Sequence, residues 1–386
     1  MYYALIDDDR DAAIQRGLEA VHDKLTAGRR LSAEDGLLLF RPETSLHVVG
    51  QLAAERCRAK HGRTVFYNLN SHLNPTNVCV YRCKLCAFYR PEGHAEGYFL
   101  SWDEILRRGQ EAWDAGCTEM HIVGGLPPDK PFEWYVEILR ILHTAFPKLH
   151  LKAWTAVEIA WFARISGKSP AQVLETLIEA GLGSMPGGGA EIFHPEVRSK
   201  ISAGKADADT WLEIHRTAHR LGLRSNATML FGHVEEPRHR IDHLLRLREL
   251  QDETGGFQAF VPLPFHPHAT ALAHLPKPAA MDNLRTLAVS RLLLDNFDHI
   301  KAYWISLGVG VAQTALAYGA NDLDGTVRRE SIYHEAGSDA PEVLTVDELC
   351  GLIREAGREP VERDSLYRRV RRNGREWDIE DESQGR

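Results

Sequence analysis

The chain has 386 residues, of which 44% are hydrophobic and 26% charged, with a net charge of −8. That balance fits a globular protein and argues against a nucleic-acid binder, which would carry a basic face. No apolar run of about 18 residues occurs, so no membrane span is expected. The start, MYYALIDDDRDAA, lacks the basic and apolar stretches of a secretory leader, and the expected location is cytoplasmic.

Residues 1–64 read as a helical lead-in. DAAIQRGLEAVHDKL has apolar residues at helical spacing, LSAEDGLLLF opens on a Ser32 cap, and SLHVVGQLAAERCRAKHG closes on Gly62. From Val65 the pattern alternates between strand and helix. VFYNLNSHLNPTNVC is a strand and loop. SWDEILRRGQEAWDAG is a helix, with Ser101 and Glu104 at capping-box spacing and Gly116 as the stop. EMHIVGG, HLKAWTA, SMPGGGAEIF, RSNATMLFGHVEE, QAFVPLPF and IKAYWISLG follow as strands, each with helical sequence behind it, and ANDLDG is a short eighth element. Eight repeats over 65–326 predict a (β/α) TIM-type barrel, with an open doubly wound sheet as the alternative. Residues 327–386 predict a C-terminal helical extension, with a helix in TVDELCGLIREAG and a solvated tail beyond it. The arginines at 368, 369, 371 and 372 stand before an acidic run and read as surface charge.

Outward side chains of a parallel barrel meet helices, so polar residues of one parity should face the lumen. Asn68, Asn70, His72 and Asn74 share one parity, Asn226 and Thr228 another, and His121 pairs in phase with Gly125. Such a row is costly to bury without partners, which predicts a polar cavity. Lys152 shares parity with Trp154, and that strand is not oriented by pattern.

Six cysteines are present in the sequence. Cys57, Cys117 and Cys350 lie in helix-like patterns and read as small core residues. Cys79, Cys83 and Cys86 form C-x-x-x-C-x-x-C directly after the first strand. A closed zinc site would need a fourth ligand, for which His94 is available. Unrelated buried thiols are another reading. The third is an iron–sulfur cluster with three thiolates and one open iron.

C-x-x-x-C-x-x-C at the end of a first barrel strand resembles the radical S-adenosylmethionine superfamily. Gly124-Gly125 and the run from Thr228 through Gly232 to Glu235 are similar to that superfamily's motifs. HLNPTNVCVYRCKLCAFYR, SMPGGGAEIF, SNATMLFGH, LQDETGGFQ, LDNFDHIKAYW and ANDLDGT resemble its menaquinone and deazaflavin group, and within it the aminodeoxyfutalosine synthase family. The chain departs where that family has Leu-His-Pro, carrying Leu126-Pro127-Pro128, and carries Leu85 where an aromatic residue usually precedes the third cysteine.

The resemblance implies one 4Fe-4S cluster on Cys79, Cys83 and Cys86, with S-adenosylmethionine on its open iron as a consumed co-substrate. Phe88, Gly124, Gly125, Gly188, Gly232 and Glu235 would meet that co-substrate. His72, Asn226, Thr228 and His266 stand at strand ends as candidate catalytic residues, with Asn321 and Arg90 as further candidates for carboxylates. The implied reaction adds the 5′-deoxyadenosyl radical to the small molecule 3-[(1-carboxyvinyl)oxy]benzoate to give 6-amino-6-deoxyfutalosine in menaquinone biosynthesis. The electron would come from a donor such as flavodoxin or ferredoxin. The alternative within the group is a hydrogen-abstracting enzyme, such as dehypoxanthine futalosine cyclase or an FO synthase subunit.

Overall fold

The computed structural model describes residues 8–380. Three helices lead, at Asp8–Thr26, Ala33–Phe40 and Leu46–His61. Ser32 and Asp35 close a reciprocal capping box with bonds of 3.3 and 2.7 Å, and Gly62 ends the third helix at φ 58°. Buried Val49, Leu52 and Ala53 lie on the third helix, which packs along the helix Ala280–Leu293. Among the described residues no helix is long and apolar enough to cross a membrane.

The strands are β1 (Thr64–Asn68), β2 (Asn70–Leu73), β3 (Glu119–Ile122), β4 (His150–Ala153), β5 (Leu182–Met185), β6 (Arg224–Phe231), β7 (Phe257–Pro264), β8 (His299–Ile300), β9 (Asp322–Gly325), β10 (Glu359–Glu362), β11 (Val370–Asn373) and β12 (Glu376–Ile379). β2 to β8 form one seven-stranded parallel sheet in chain order. Parallel neighbours need a crossover, and the helical sequence between strands supplies it. β9 carries the sheet round to its start. Asn321 N donates to Ile300 O at 3.1 Å, Ala302 N to Asp322 O at 2.8 Å, and His72 N to Arg328 O at 2.8 Å. The architecture is the expected TIM-type barrel.

Four details differ from the sequence reading. The first strand is split: β1 pairs with β9 and β10, and β2 passes into the main sheet. The strand read in IKAYWISLG ends at Ile300, and Trp304–Leu307 is a short helix whose Trp304 Nε1 donates to Gly325 O. Ser101 caps its helix by accepting from Glu104 N at 3.2 Å, but the reciprocal bond is replaced by pairing of Glu104 with Arg107 and Arg108.

The fourth difference is largest. The segment read as a solvated tail carries three strands besides the expected helix, Val346–Glu355. β10 pairs parallel with β1, and β11 with β12 forms a hairpin. The run at 368, 369 and 371 is exposed as read, but the segment is still anchored, because Arg363 and Arg372 have partners. Arg363 is 1% exposed and donates to Asp322 at 2.6 Å, Tyr367 stacks on His299 at 3.6 Å, and Arg372 binds Glu362. The extension thus seals the end of the barrel where the strands begin.

Candidate active site

A cavity of about 340 Å³ runs down the lumen from the strand ends. Cys79, Cys83 and Cys86 all line its upper end. They sit there because the loop after β2 is held on both sides. Cys79 N donates to Arg90 O at 3.0 Å, Val80 N to Leu126 O at 2.9 Å, and Lys84 N to Ile201 O at 2.8 Å. Burial pushes all three thiols up, Cys86 to about 11. The expected fourth zinc ligand does not join them: His94 is exposed and its Nδ1 accepts from Glu96 N. Among the described residues no three His, Cys, Asp or Glu side chains are gathered to hold a single ion. Cys57, Cys117 and Cys350 are buried elsewhere, at 1%, 1% and 7% exposure.

Glycine backbone faces the cysteines. Gly124 and Gly125 line the cavity where β3 ends, and a Cβ on Gly125 would stand 2.1 Å from Val78 O. Gly187, Gly188 and Gly189 line it after β5, and a Cβ on Gly187 would stand 2.6 Å from Asn226 O. Only glycine permits such approaches. Arg198 fastens this loop by donating to the carbonyls of Gly189, Ala190, Ile192 and Ala206. Thick backbone crowding beside three thiols leaves main-chain groups as the polar partners for a bound molecule, which fits a cluster carrying a polar co-substrate.

Three carboxylates and a lysine border this upper half. Glu158 closes a capping box with Thr155 and also accepts from Gly124 N at 3.1 Å. Burial pushes its carboxyl up to about 7, against the pull of the Thr155 and Gly124 amides. Glu191 pairs with Lys205 at 2.7 Å. Burial opposes charge on Lys205, but the Glu191 carboxylate outweighs it and holds the ammonium well above its usual range. Glu330 accepts from Tyr333 N at 2.9 Å and from the His334 ring at 3.1 Å. Glu191 and, lower down, Asp324 are non-glycine residues at positive φ, 46° and 67°. Such strain persists where the surroundings over-determine it, as functional sites do.

The predicted site residues divide. Phe88, Gly124, Gly125 and Gly188 line the cavity, as do His72, Asn226, Thr228 and His266. In β6 and β7 alternate residues face it, Asn226, Thr228 and Leu230 against Val261, Leu263 and Phe265. The Thr228 hydroxyl donates to Gly187 O at 2.7 Å, so it also positions the glycine loop. The His266 ring meets Ser306 O through Nε2 at 2.8 Å, leaving Nδ1 buried and unpartnered.

The remaining candidates stand elsewhere. Gly232 and Glu235 do not line the cavity: Glu235 accepts from the amides of Gly232 and His233 and pairs with Arg240, holding the turn after β6. Asn321 is consumed by Arg291, Ile300 N and His299. Arg90 braces the cysteine loop through the carbonyls of Ala87 and Tyr89 and pairs with Glu96 and Glu335. Of the polar row on the first strand only His72 reaches the cavity; Asn70 donates to Asp324 and Asn74 to Val123 O. Pro127 is buried outside the lining, whereas Leu85 and Leu126 belong to it.

Sequence reasoning reached the lower half only in part, through His72 and the parity of His121. His72, His121 and Lys152 are neighbours in register on β2, β3 and β4, and the two imidazoles stack at 4.7 Å. Lys152 pairs with Glu119 at 2.6 Å and Lys301 with Asp324 at 3.3 Å. Parity carried a signal for His121, but nothing local pairs Lys152 with Glu119 or Lys301 with Asp324.

A barrel with three thiols, facing glycine backbone and a polar lumen defines an enzyme that runs chemistry inside the barrel at its strand ends. The chain belongs to the radical S-adenosylmethionine superfamily, in the branch that carries the CofH/MqnC C-terminal region. Residues 73–247 match the first family and residues 254–374 the second. Membership implies a 4Fe-4S cluster and S-adenosylmethionine. Among individual proteins, the chain is 46% identical over 357 residues to aminodeoxyfutalosine synthase of Thermus thermophilus, covering 91% of this chain and 95% of that one. It is 42% identical to 5-amino-6-(D-ribitylamino)uracil–L-tyrosine 4-hydroxyphenyl transferase of Methanopyrus kandleri, covering 83% and 88%. The crystal structure of methylornithine synthase superposes with a TM-score of 0.69 at 18% identity, over 88% of this chain and 97% of that one, which shows the shared fold.

Proposed function

We propose that this enzyme joins the 5′-deoxyadenosyl group of S-adenosylmethionine to 3-[(1-carboxyvinyl)oxy]benzoate, releasing methionine and giving 6-amino-6-deoxyfutalosine. The observation that carries this reading is the 46% identity to an aminodeoxyfutalosine synthase along nearly the whole chain. Cys79, Cys83 and Cys86 would hold the cluster, which when bound supplies the electron that splits the sulfonium. Gly124, Gly125 and the 187–189 loop offer backbone to the co-substrate, and the Lys205–Glu191 pair stands beside it as a salt bridge able to meet its amino-acid end. Leu230, Val261, Leu263 and Phe265 form the apolar wall that an arene needs and that keeps water from a radical. Asn226, whose side-chain amide makes no hydrogen bond within the protein, is free to orient a substrate oxygen. An electron donor such as flavodoxin or ferredoxin would be required.

A second reading, hydrogen abstraction by the same radical, draws on the 42% identity to a hydroxyphenyl transferase. An adenosyl label separates the two. Under the proposal the label enters the main product: the 5′-carbon bonds to the terminal vinyl carbon, and the adjacent carbon gains a bond to the ring as the aryl–oxygen bond breaks. That adjacent carbon becomes the ketone as its carboxylate leaves as carbon dioxide or bicarbonate and one electron is given back. Label recovered only as free 5′-deoxyadenosine refutes the transfer.

A further inference from the structure

The lower end of the cavity is closed and carries donors without partners. His72 is 7% exposed, its Nε2 is buried without a hydrogen bond, and no hydrogen bond reaches the stacked His121 ring. Burial keeps both imidazoles below their usual pKa, hence neutral, each with one N–H to give. Lys152 and Lys301 line the same end; Lys152 is ion-paired with Glu119, and Lys301 donates one ammonium hydrogen to Asp324. Glu119 is 0% exposed and does not line the cavity. It stands behind Lys152, where its carboxylate favours the ammonium against burial, which still pushes the lysine's pKa down. Asp324 is fixed at positive φ by Asn70 and steadies Lys301. Below them Arg363 pairs with Asp322 and seals the floor. Two lysines, one backed by Glu119 and the other paired with Asp324, which itself lines the cavity, and two neutral imidazoles therefore converge on this end with four or more free N–H donors.

We infer that this floor, formed by His72, His121, Lys152 and Lys301, is a subsite for an aryl carboxylate. The inference rests on the proposed reading for its direction. The vinyl carbon has to meet the adenosyl group beside the cysteines, so the carboxylate on the vinyl group stays at the upper end. The ring then lies along Val261 and Leu263, and the ring carboxylate at the meta position points down to the floor. A carboxylate accepts up to four hydrogen bonds and is matched by these donors; an uncharged end group would leave two ammonium ions undersolvated.

Binding to the reconstituted holoenzyme with S-adenosylmethionine, measured by anaerobic calorimetry, tests this without turnover. The probes are 3-methoxybenzoate and its methyl ester. Charge-assisted hydrogen bonds predict that the acid binds about 10- to 100-fold tighter than the ester. Lys152→Met and Lys301→Met should each erase most of that preference while leaving ester affinity and iron content unchanged. Absence of acid binding, equal affinity for acid and ester in the unsubstituted enzyme, or a full preference in both folded variants overturns the subsite. Should neither variant fold, the acid-to-ester ratio of the unsubstituted enzyme decides alone. The adenosyl label judges the reaction separately: acid preference with free 5′-deoxyadenosine as the only product would refute the transfer and leave the subsite standing.

Discussion

Gly125→Ala probes how the fold carries the cysteines. The added Cβ would lie 2.1 Å from Val78 O and 2.9 Å from Asn77 C, both main-chain atoms. No rotamer change relieves that contact. Reaching 3.0 Å, below which real Cβ atoms are essentially never found, requires a separation of about 0.9 Å between the β3 exit and the 77–79 segment. Gly125 N donates to Thr76 O and Val80 N to Leu126 O, so the displacement passes directly to Cys79. Overpacking of this kind costs about 1–3 kcal/mol, and a misplacement near 1 Å at a reacting centre costs on the order of 100-fold in rate. The expected result is a folded protein with reduced iron and sulfide after anaerobic reconstitution and turnover lowered about 100-fold. Gly351→Ala is the control: in the helix Val346–Glu355 nothing lies within 4 Å of its Cβ, and it should stabilise by about 0.5–1 kcal/mol with full activity. A Gly125→Ala enzyme with full iron and unchanged kcat would refute the reasoning.

Three further outcomes follow from the same structure. Cys83→Ala should abolish cluster assembly while Cys117→Ala, whose thiol is buried away from the cavity, should retain iron; turnover by Cys83→Ala would contradict the cluster assignment. Arg363→Met would leave Asp322, 0% exposed, without its cation, and should cost roughly 3–5 kcal/mol in urea unfolding; a loss under about 1 kcal/mol would show that the extension does not seal the barrel in this way. Acid should weaken the fold through buried histidines. Burial holds His150 and His219 down to about 4 and His243 down to about 3. The unfolded chain binds these protons near pH 6.5, so the stability they contribute is complete above that pH and declines as pH falls towards the native values. At pH 5.5 the loss is about 1.4 kcal/mol per ring, about 4 kcal/mol for the three, and equal urea midpoints at pH 7.5 and 5.5 would contradict it.

The cysteine run, the helix caps and the alternation of β6 were legible in the sequence because each depends on neighbours a few residues away. Ser32 finds Asp35 within one turn, and Asn226 and Thr228 share a face by strand geometry alone. Motif position alone did not announce the partners of Glu235, whose carboxylate takes the amides two and three residues back and Arg240. The run of C-terminal arginines is at the surface as read, with Arg368, Arg369 and Arg371 exposed, but Arg363 just before it is buried, which no local signal announced.

By itself, then, the sequence determined a strand–helix barrel, the three thiols at the end of its first strand and the family of chemistry they serve. Only the tertiary structure decided what lies at the other end of the lumen. Lys152 meets Glu119, Lys301 meets Asp324 and Arg363 meets Asp322 because neighbouring parallel strands bring distant residues within reach and the last segment closes beneath them. A buried charge is stable only beside its counterion. That condition is set by the closed barrel and is invisible to any window of sequence.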